Sequence, residues 1–165
     1  MRHGPAEDYA ASGLDSDRVL SPDGRLRVRS VARALVAKDE APLYIVSSPL
    51  VRALQTAEIV AAVTQLEERA GLLEARRELA PGGSSLELID ELRRAKKRRV
   101  MLVGHEPDLS SLVVKLVRKE PPQGMLKAMV VGLVISEPEP PTEGFDWTVK
   151  PRFILDPKTL EWGKL

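Results

Sequence analysis

The fold of this chain is indicated most clearly by one stretch of its sequence, Val100-Met101-Leu102-Val103-Gly104-His105-Glu106-Pro107. Its four apolar residues are typical of a buried parallel strand, and the glycine marks the point where that strand ends. Apolar residues at helical spacing then predict a helix from about residue 109 to 117, capped by Asp108 or a near neighbour. Ligands of open α/β sheets bind at the carboxyl ends of strands, so His105 is predicted to lie at a ligand-binding edge.

The same order of strand and helix occurs earlier in the chain. Residues 43–46 predict a second buried strand, and an apolar face over residues 50–61 predicts a helix after it. Arg52 lies in the first turn of that helix, and we expect it to face the same edge as His105. Further upstream, Ser21 is predicted to cap a helix that runs to about residue 36.

The remaining segments complete an alternating pattern. The predicted strands are 74–79, 130–135 and 145–155, with a helix over 86–92 and a proline-rich loop at 137–144. This alternation predicts an α/β fold, a three-layer α/β/α sandwich with a mostly parallel sheet. The length of 165 residues predicts that residues 1–165 form a single domain.

Composition excludes several classes of function. The chain has 25 Lys and Arg against 24 Asp and Glu, and the net charge of +1 gives no basis for binding nucleic acid or a membrane surface. It has no cysteine, which excludes disulfides, thiolate metal sites and cysteine-based phosphatases. The first residues lack the basic and apolar regions that are typical of a signal peptide, and no apolar run approaches the ~18 residues that a membrane span needs. We therefore expect a cytoplasmic protein.

The chain has only two histidines, His3 and His105, and each is next to a glycine. If they meet at one sheet edge together with Arg2 and Arg52, two imidazoles and two guanidiniums surround a small volume. Guanidinium groups bind phosphate oxygens in a bidentate manner. A histidine among cations has its charged form disfavoured, so a free ring nitrogen is available to attack phosphorus. The residues thus favour covalent phosphoryl transfer.

Three ordered segments carry a resemblance to a known family. Arg2-His3-Gly4, Ser48-Pro49 with Arg52 followed by Gln55-Thr56-Ala57-Glu58, and Gly104-His105-Glu106-Pro107 resemble the signature segments of the histidine phosphatase superfamily, also called phosphoglycerate mutase-like. Two further stretches are similar to SixA-type phosphohistidine phosphatases: Asp15-x-x-Arg18-x-Leu20-Ser21-x-x-Gly24 and Glu78-Leu79-Ala80-Pro81-Gly82-Gly83.

The resemblance implies a role for each matching residue. His3 would be the nucleophile, Arg2 and Arg52 would bind the phosphoryl group, and His105 would complete the pocket and stabilise the transferring group. Arg18 is a further candidate for substrate contact. The implied enzyme is a metal-independent phosphatase without a cofactor.

The chain departs from the family pattern at the proton donor. Larger relatives use a glutamate in the segment equivalent to residues 78–83, where this chain has Ala-Pro-Gly-Gly. Glu7, Glu78 and Glu106 are the remaining candidates for an acid. A phosphorylated imidazole needs less help from an acid than an alcohol does, which favours phosphohistidine as the substrate.

Three functions follow from this pattern. The first is hydrolysis of phosphohistidine on a protein such as a phosphotransfer domain, through a phosphohistidine intermediate on His3. The alternatives are a phosphatase for small or diverse phosphate esters and a catalytically silent module that binds phosphoproteins.

A second departure concerns the start of the chain. The family places a buried strand immediately before Arg2-His3-Gly4, whereas this sequence starts at Met1. The first strand is therefore expected to be missing or truncated. We expect lower stability or activity than in a version with five to seven apolar residues placed upstream, because a central strand supplies hydrogen bonds on both sides.

Other interpretations give these residues simpler roles. His3 would be a solvated residue near the terminus, and His105 would cap the following helix or fill a turn. Arg52 would pair with Glu58 or another surface carboxylate, and Arg18 would be an ion-pair partner in its loop. His3 and His105 with Glu7 and Asp108 have the ligand types of a zinc site, but two neighbouring arginines would repel a cation. The basic run 93–99 is typical of a solvated helix end, with docking of an acidic phosphoprotein as the functional alternative.

Overall fold

The computed structural model describes residues 1–122, 124–136 and 147–165. The helices are α1 Pro22–Ala37, α2 Val51–Val63, α3 Ser85–Arg94 and α4 Asp108–Val117, with short 3-10 helices at Asp15–Asp17 and Arg77–Leu79. The strands are β1 Tyr44–Ser47, β2 Leu72–Ala75, β3 Val100–Val103, β4 Val130–Ser136, β5 Thr148–Leu155 and β6 Trp162–Gly163. Within these residues, no helix is both long and apolar enough to span a bilayer.

The strands form two three-stranded sheets. The first has the order β2-β1-β3 and is parallel, with Ser47 opposite Val103, so the carboxyl ends of β1 and β3 lie side by side. This confirms the parallel strands that the sequence predicts around the site. The second sheet, β4-β5-β6, is antiparallel, which the sequence pattern did not indicate.

Alternating side chains divide the core into two faces, as expected for strands covered by helices on both sides. Ile45 and Met101 pack with α1 and α2, whereas Val46 and its neighbours on the other face pack against α3. In α1, the Ser21 side chain accepts a hydrogen bond from the Gly24 nitrogen at 3.1 Å, which confirms the predicted cap. The three-layer α/β/α arrangement is confirmed.

The first three residues join the two sheets. Arg2 pairs in parallel with Gly104 at the end of β3, and the His3 nitrogen donates to the Gly104 oxygen at 3.0 Å. On the other side, the Arg2 nitrogen donates to the Met129 oxygen at 3.1 Å, and the Ala128 nitrogen donates to the His3 oxygen at 3.0 Å. The segment before Gly4 therefore occupies a strand position between β3 and β4.

A cavity of about 1000 Å³ lies alongside this segment. Its lining combines Met1, β3, β4 and apolar residues of α3 and α4 with charged side chains, among them the basic residues 96–99. The Met1 ammonium group is buried and donates to the Leu102 oxygen at 2.8 Å. Burial lowers the pKa of this amino group to about 5, because an ammonium away from water is costly.

Several sequence predictions need correction. The strand expected at 74–79 is β2, Leu72–Ala75, followed by the 3-10 helix Arg77–Leu79. Of the predicted caps of α4, Asp108 or a near neighbour, the N-cap position is taken by the neighbour Pro107, without a side-chain hydrogen bond. The Asp108 carboxylate instead accepts a hydrogen bond from the Gly82 nitrogen at 2.8 Å. The strand expected at 145–155 is β5, which starts at Thr148, while residues 145–146 and the proline-rich loop at 137–144 lie outside the described residues.

Candidate active site

The two histidines meet at the carboxyl edge of the parallel sheet. Their ring centroids are 5.1 Å apart, and the residues are 7% and 3% exposed. His3 reaches this position because Arg2 pairs with Gly104, the residue that precedes His105. His3 is therefore not the solvated residue that the simpler interpretation expected.

Hydrogen bonding selects the tautomer of His3. Its Nδ1 lies 2.7 Å from the Gly4 oxygen, and a carbonyl oxygen can only accept, so Nδ1 carries the proton in the neutral ring. Nε2 is then left with a lone pair. Burial, and next the positive groups of His105, Arg52 and Arg2, lower the pKa of His3 to about 3, although the Gly4 contact opposes this. The ring is neutral near pH 7 and can act as a nucleophile.

His105 has one ring nitrogen bound and one free. Its Nε2 lies 2.7 Å from Ser48 Oγ, and its buried Nδ1 has no hydrogen-bond partner among the described residues. When the Ser48 hydroxyl donates to Nε2, Nδ1 carries the proton and can donate to an incoming oxygen. Burial, and next Arg52, lower the pKa of His105 to about 4 against the opposing effect of Asp108 and Asp15.

Two guanidinium groups belong to the same pocket. Arg52 lies in the first turn of α2 and is 6% exposed. It donates to the Asp15 backbone oxygen at 2.7 Å and to Asp15 Oδ2 at 2.9 Å. Arg52 therefore pairs with an exposed carboxylate, as the simpler interpretation allowed, and that carboxylate is Asp15 instead of Glu58. Arg2 donates through one terminal nitrogen to the Met125 oxygen at 2.8 Å, and its buried Nε has no partner among the described residues.

Thr56 holds the loop of His3 against the helix of Arg52. Its hydroxyl accepts from the Gly4 nitrogen at 3.0 Å and donates to the Arg52 oxygen at 2.7 Å. Gly4 fits here because a Cβ at this position would lie 2.6 Å from a methyl group of Val28. Sequence reasoning placed Thr56 and Ser48 in the signature segments but assigned neither a role, since the partners that reveal those roles are more than fifty residues away.

Arg18 belongs to the neighbouring loop. Its Nε donates to the Glu7 oxygen at 2.7 Å, and a terminal nitrogen donates to Asp15 Oδ1 at 2.8 Å. These contacts match the ion-pair interpretation of Arg18, and its role in binding substrate stays a prediction. The Glu7 side chain is exposed.

The other two candidate proton donors have different environments. Arg76 binds the Glu78 carboxylate at 2.5 Å and lowers the pKa of Glu78, which keeps this side chain ionised. Glu106 adjoins His105, and its Oε1 is buried without a hydrogen-bond partner among the described residues. Glu106 also lies close enough to Arg2 to interact with its charge, and the role of either glutamate as a proton donor stays a prediction.

The basic run lies away from this pocket. Residues 93–99 span the end of α3 and the turn before β3, at the opposite edge of the sheet from His105. Arg94 pairs with Asp90 at 2.7 Å, and Arg99 pairs with Asp39 at 3.2 Å. Across the described part of the chain, no group of three or more His, Asp or Glu side chains is arranged to hold a metal ion.

Comparison with known proteins identifies the family. The model of the histidine phosphatase superfamily (branch 1) matches residues 1–85. The chain belongs to the histidine phosphatase superfamily. A histidine phosphatase resembles this chain over nearly its full length: SixA, solved with tungstate, is 25% identical, has a TM-score of 0.81, and is matched over 98% of this chain and 97% of its own.

Other relatives match less completely. An uncharacterized protein of Picosynechococcus sp. is 39% identical over 112 residues, which span 66% of this chain and 66% of that protein. A mycobacterial glucosyl-3-phosphoglycerate phosphatase solved with VO3 shares the fold, with 19% identity, a TM-score of 0.64, and coverage of 91% of this chain and 94% of its own.

Proposed function

We propose that this protein removes the phosphoryl group from phosphohistidine on a protein, through a covalent phosphohistidine intermediate on His3. The observation that carries the proposal is the state of His3. Its ring is neutral, Nδ1 is bound to the Gly4 oxygen, and the free Nε2 lies in a pocket shared with His105 and two guanidinium groups. This arrangement presents a nucleophile where a phosphoryl group would be bound.

The first chemical step is transfer between two nitrogens. Nε2 of His3 attacks phosphorus, a P–N bond forms, and the P–N bond to the substrate imidazole breaks. Arg2, Arg52 and the Nδ1 proton of His105 would donate to the phosphoryl oxygens and stabilise the charge that they carry. The substrate imidazole leaves with the bonding electron pair and takes a proton from solvent.

The second step regenerates the enzyme. A water molecule attacks phosphorus of the intermediate, the P–N bond to His3 breaks, and inorganic phosphate leaves. Burial, and also the positive charges of Arg52 and Arg2, lower the pKa of His3, so the ring returns to the neutral state ready for another cycle. None of these steps calls on a metal ion.

The environment of Glu78 supports a substrate with an undemanding leaving group. An alcohol must be protonated as it leaves, and Glu78 is held ionised by Arg76. Transfer from one imidazole to another does not need such an acid. The similarity to SixA, described as a protein histidine phosphatase, supports the same substrate class.

A second candidate function is hydrolysis of small phosphate esters. It is favoured by Glu106, whose buried Oε1 has no hydrogen-bond partner among the described residues, and which adjoins His105. A protonated Glu106 would supply the acid that an alcohol leaving group needs.

The test is to offer a phosphorylated phosphotransfer domain and a panel of phosphate esters to the same preparation. We expect the phosphoprotein to have the higher kcat/KM, acid-labile phosphate to be trapped on His3, and chelators to have no effect. His3→Gln should abolish turnover and trapping with the fold retained by circular dichroism. Much faster turnover of esters would select the second function, and phosphoprotein binding without turnover or trapping would indicate a silent binding module.

A further inference from the structure

Asp15 contacts the phosphate-binding machinery from the solvent side. Its side chain is 61% exposed, yet its carboxylate and backbone oxygen both accept hydrogen bonds from the buried Arg52. The other carboxylate oxygen accepts from Arg18 at 2.8 Å. Asp15 therefore joins the loop that precedes α1 to the first turn of α2.

The two contacts of Asp15 determine how the Arg52 guanidinium is oriented. A guanidinium is planar and carries one N–H on Nε and two on each terminal nitrogen. Asp15 accepts one N–H from each terminal nitrogen, at 2.7 and 2.9 Å. Two contacts from one residue fix both the position and the plane of the group, and leave Nε–H and one N–H on each terminal nitrogen for a phosphoryl group.

The charge of Asp15 is balanced within the same cluster. Hydrogen bonds from Arg18 and Arg52 lower the pKa of Asp15, so the carboxylate is ionised near pH 7. An ionised carboxylate close to the pocket would repel a phosphoryl group. Two arginines on one carboxylate leave a net positive charge, so the cluster can hold Arg52 in place and still attract an anion.

We propose that Asp15 is a positioning residue for phosphoryl transfer, which holds the Arg52 guanidinium in its binding orientation before substrate arrives. This inference rests on the proposed function. Asp15 acts through Arg52 and does not touch the reacting atoms. Because Asp15 already holds the guanidinium in place, the Arg52 side chain loses less conformational entropy when the phosphoryl group binds.

The test compares three variants with wild type. Asp15→Ala should lower kcat/KM for the phosphoprotein about tenfold, through loss of a charge-assisted hydrogen bond to a buried arginine. Asp15→Asn keeps a side-chain oxygen and should lose less. Asp17→Ala is the matched control, because Asp17 lies in the same 3-10 helix but binds Ser12 and Ser16 instead of an arginine. It should leave the kinetics unchanged.

A double-mutant cycle separates positioning from a general effect on the loop. In an Arg52→Lys background, Asp15→Ala should change kcat/KM less than twofold, because lysine has no planar group to orient. A tenfold loss that persists in that background, or full activity of Asp15→Ala alone, would overturn the proposal.

Binding of inorganic phosphate distinguishes this proposal from the proposed function. If wild type turns over no substrate, the proposed function fails, but calorimetric titration with phosphate still measures what Asp15 does. We expect Asp15→Ala to weaken the phosphate Kd about tenfold and Asp17→Ala to leave it unchanged. An unchanged or tighter Kd in Asp15→Ala would show that Asp15 does not prepare the site for an anion.

Discussion

Replacing Thr56 by valine tests how the nucleophile is held. Valine has nearly the shape of threonine but no hydroxyl, so Thr56→Val removes two hydrogen bonds with little change in packing volume. One is the bond from the Gly4 nitrogen at 3.0 Å and the other is the bond to the Arg52 oxygen at 2.7 Å. The residue is fully buried.

The two losses differ in cost. The Gly4 N–H would be left buried without an acceptor, which costs about 1 to 3 kcal/mol. The Arg52 oxygen lies within α2 and still accepts a hydrogen bond from a backbone N–H, so losing the bond from the Thr56 hydroxyl adds little to the cost. We expect the free energy of unfolding to fall by about 2 kcal/mol, which lowers Tm by roughly 4 to 8 °C for a chain of this size.

Activity should fall as well, because the Gly4 oxygen accepts a hydrogen bond from Nδ1–H of His3 and thereby determines which ring nitrogen is free. The assays are urea denaturation and kcat/KM with the phosphoprotein. Thr56→Ser is the matched control, since it keeps the hydroxyl and loses only a methyl group. Wild-type stability and wild-type kcat/KM in Thr56→Val would refute the view that this hydroxyl holds the loop of the nucleophile.

Four further predictions concern Arg52, the pH dependence of stability, the N-terminus and Glu106. Arg52→Ala should lower kcat/KM on the order of 10²-fold through loss of phosphate hydrogen bonds, and a change confined to KM would indicate ground-state binding only. The pKa values of His3 (about 3) and His105 (about 4) lie below the usual 6.5, so the unfolded chain takes up their protons first. The stabilising contribution of the two neutral histidines should therefore be complete above pH 6.5 and should fall as the pH drops toward 4, by about 1.4 kcal/mol per pH unit for each histidine. The Met1 amino group, whose pKa burial lowers to about 5, acts in the same direction and starts to do so at higher pH. A free energy of unfolding from urea denaturation that is constant from pH 7 to 4.5 would contradict this. Joining five apolar residues to Met1 should raise Tm by about 5 °C or more, since they would fill the adjoining cavity and turn a buried titratable amino group into an amide, whereas five Gly and Ser residues should raise it less. Glu106→Gln should slow hydrolysis of esters with poor leaving groups at least tenfold and phosphohistidine hydrolysis much less, and equal losses would argue against Glu106 as an acid.

The local elements were predictable because their signals are local. The apolar face of α1, its cap Ser21 and the apolar run of β3 are each defined by only a few neighbouring residues. The antiparallel sheet β4-β5-β6 was not predicted, because the pairing partner of a buried strand is set by contacts distant in sequence. The role of Asp108 was missed for the same reason, because its carboxylate accepts a hydrogen bond from Gly82, which is distant in sequence, instead of capping its own helix.

By itself, the sequence determined which chemical groups the site has and the order in which they occur: Arg2-His3-Gly4, then Arg52, then His105. These segments carry the family resemblance. The helices and strands next to them were predictable because their apolar residues recur at short, regular spacing. The protonation states and hydrogen-bond partners of these groups became known only from the tertiary structure. The neutral state of His3, the free Nε2 and the pairing of Arg52 with Asp15 all depend on burial and on partners far along the chain, because pKa values and hydrogen bonds are properties of an environment rather than of a residue.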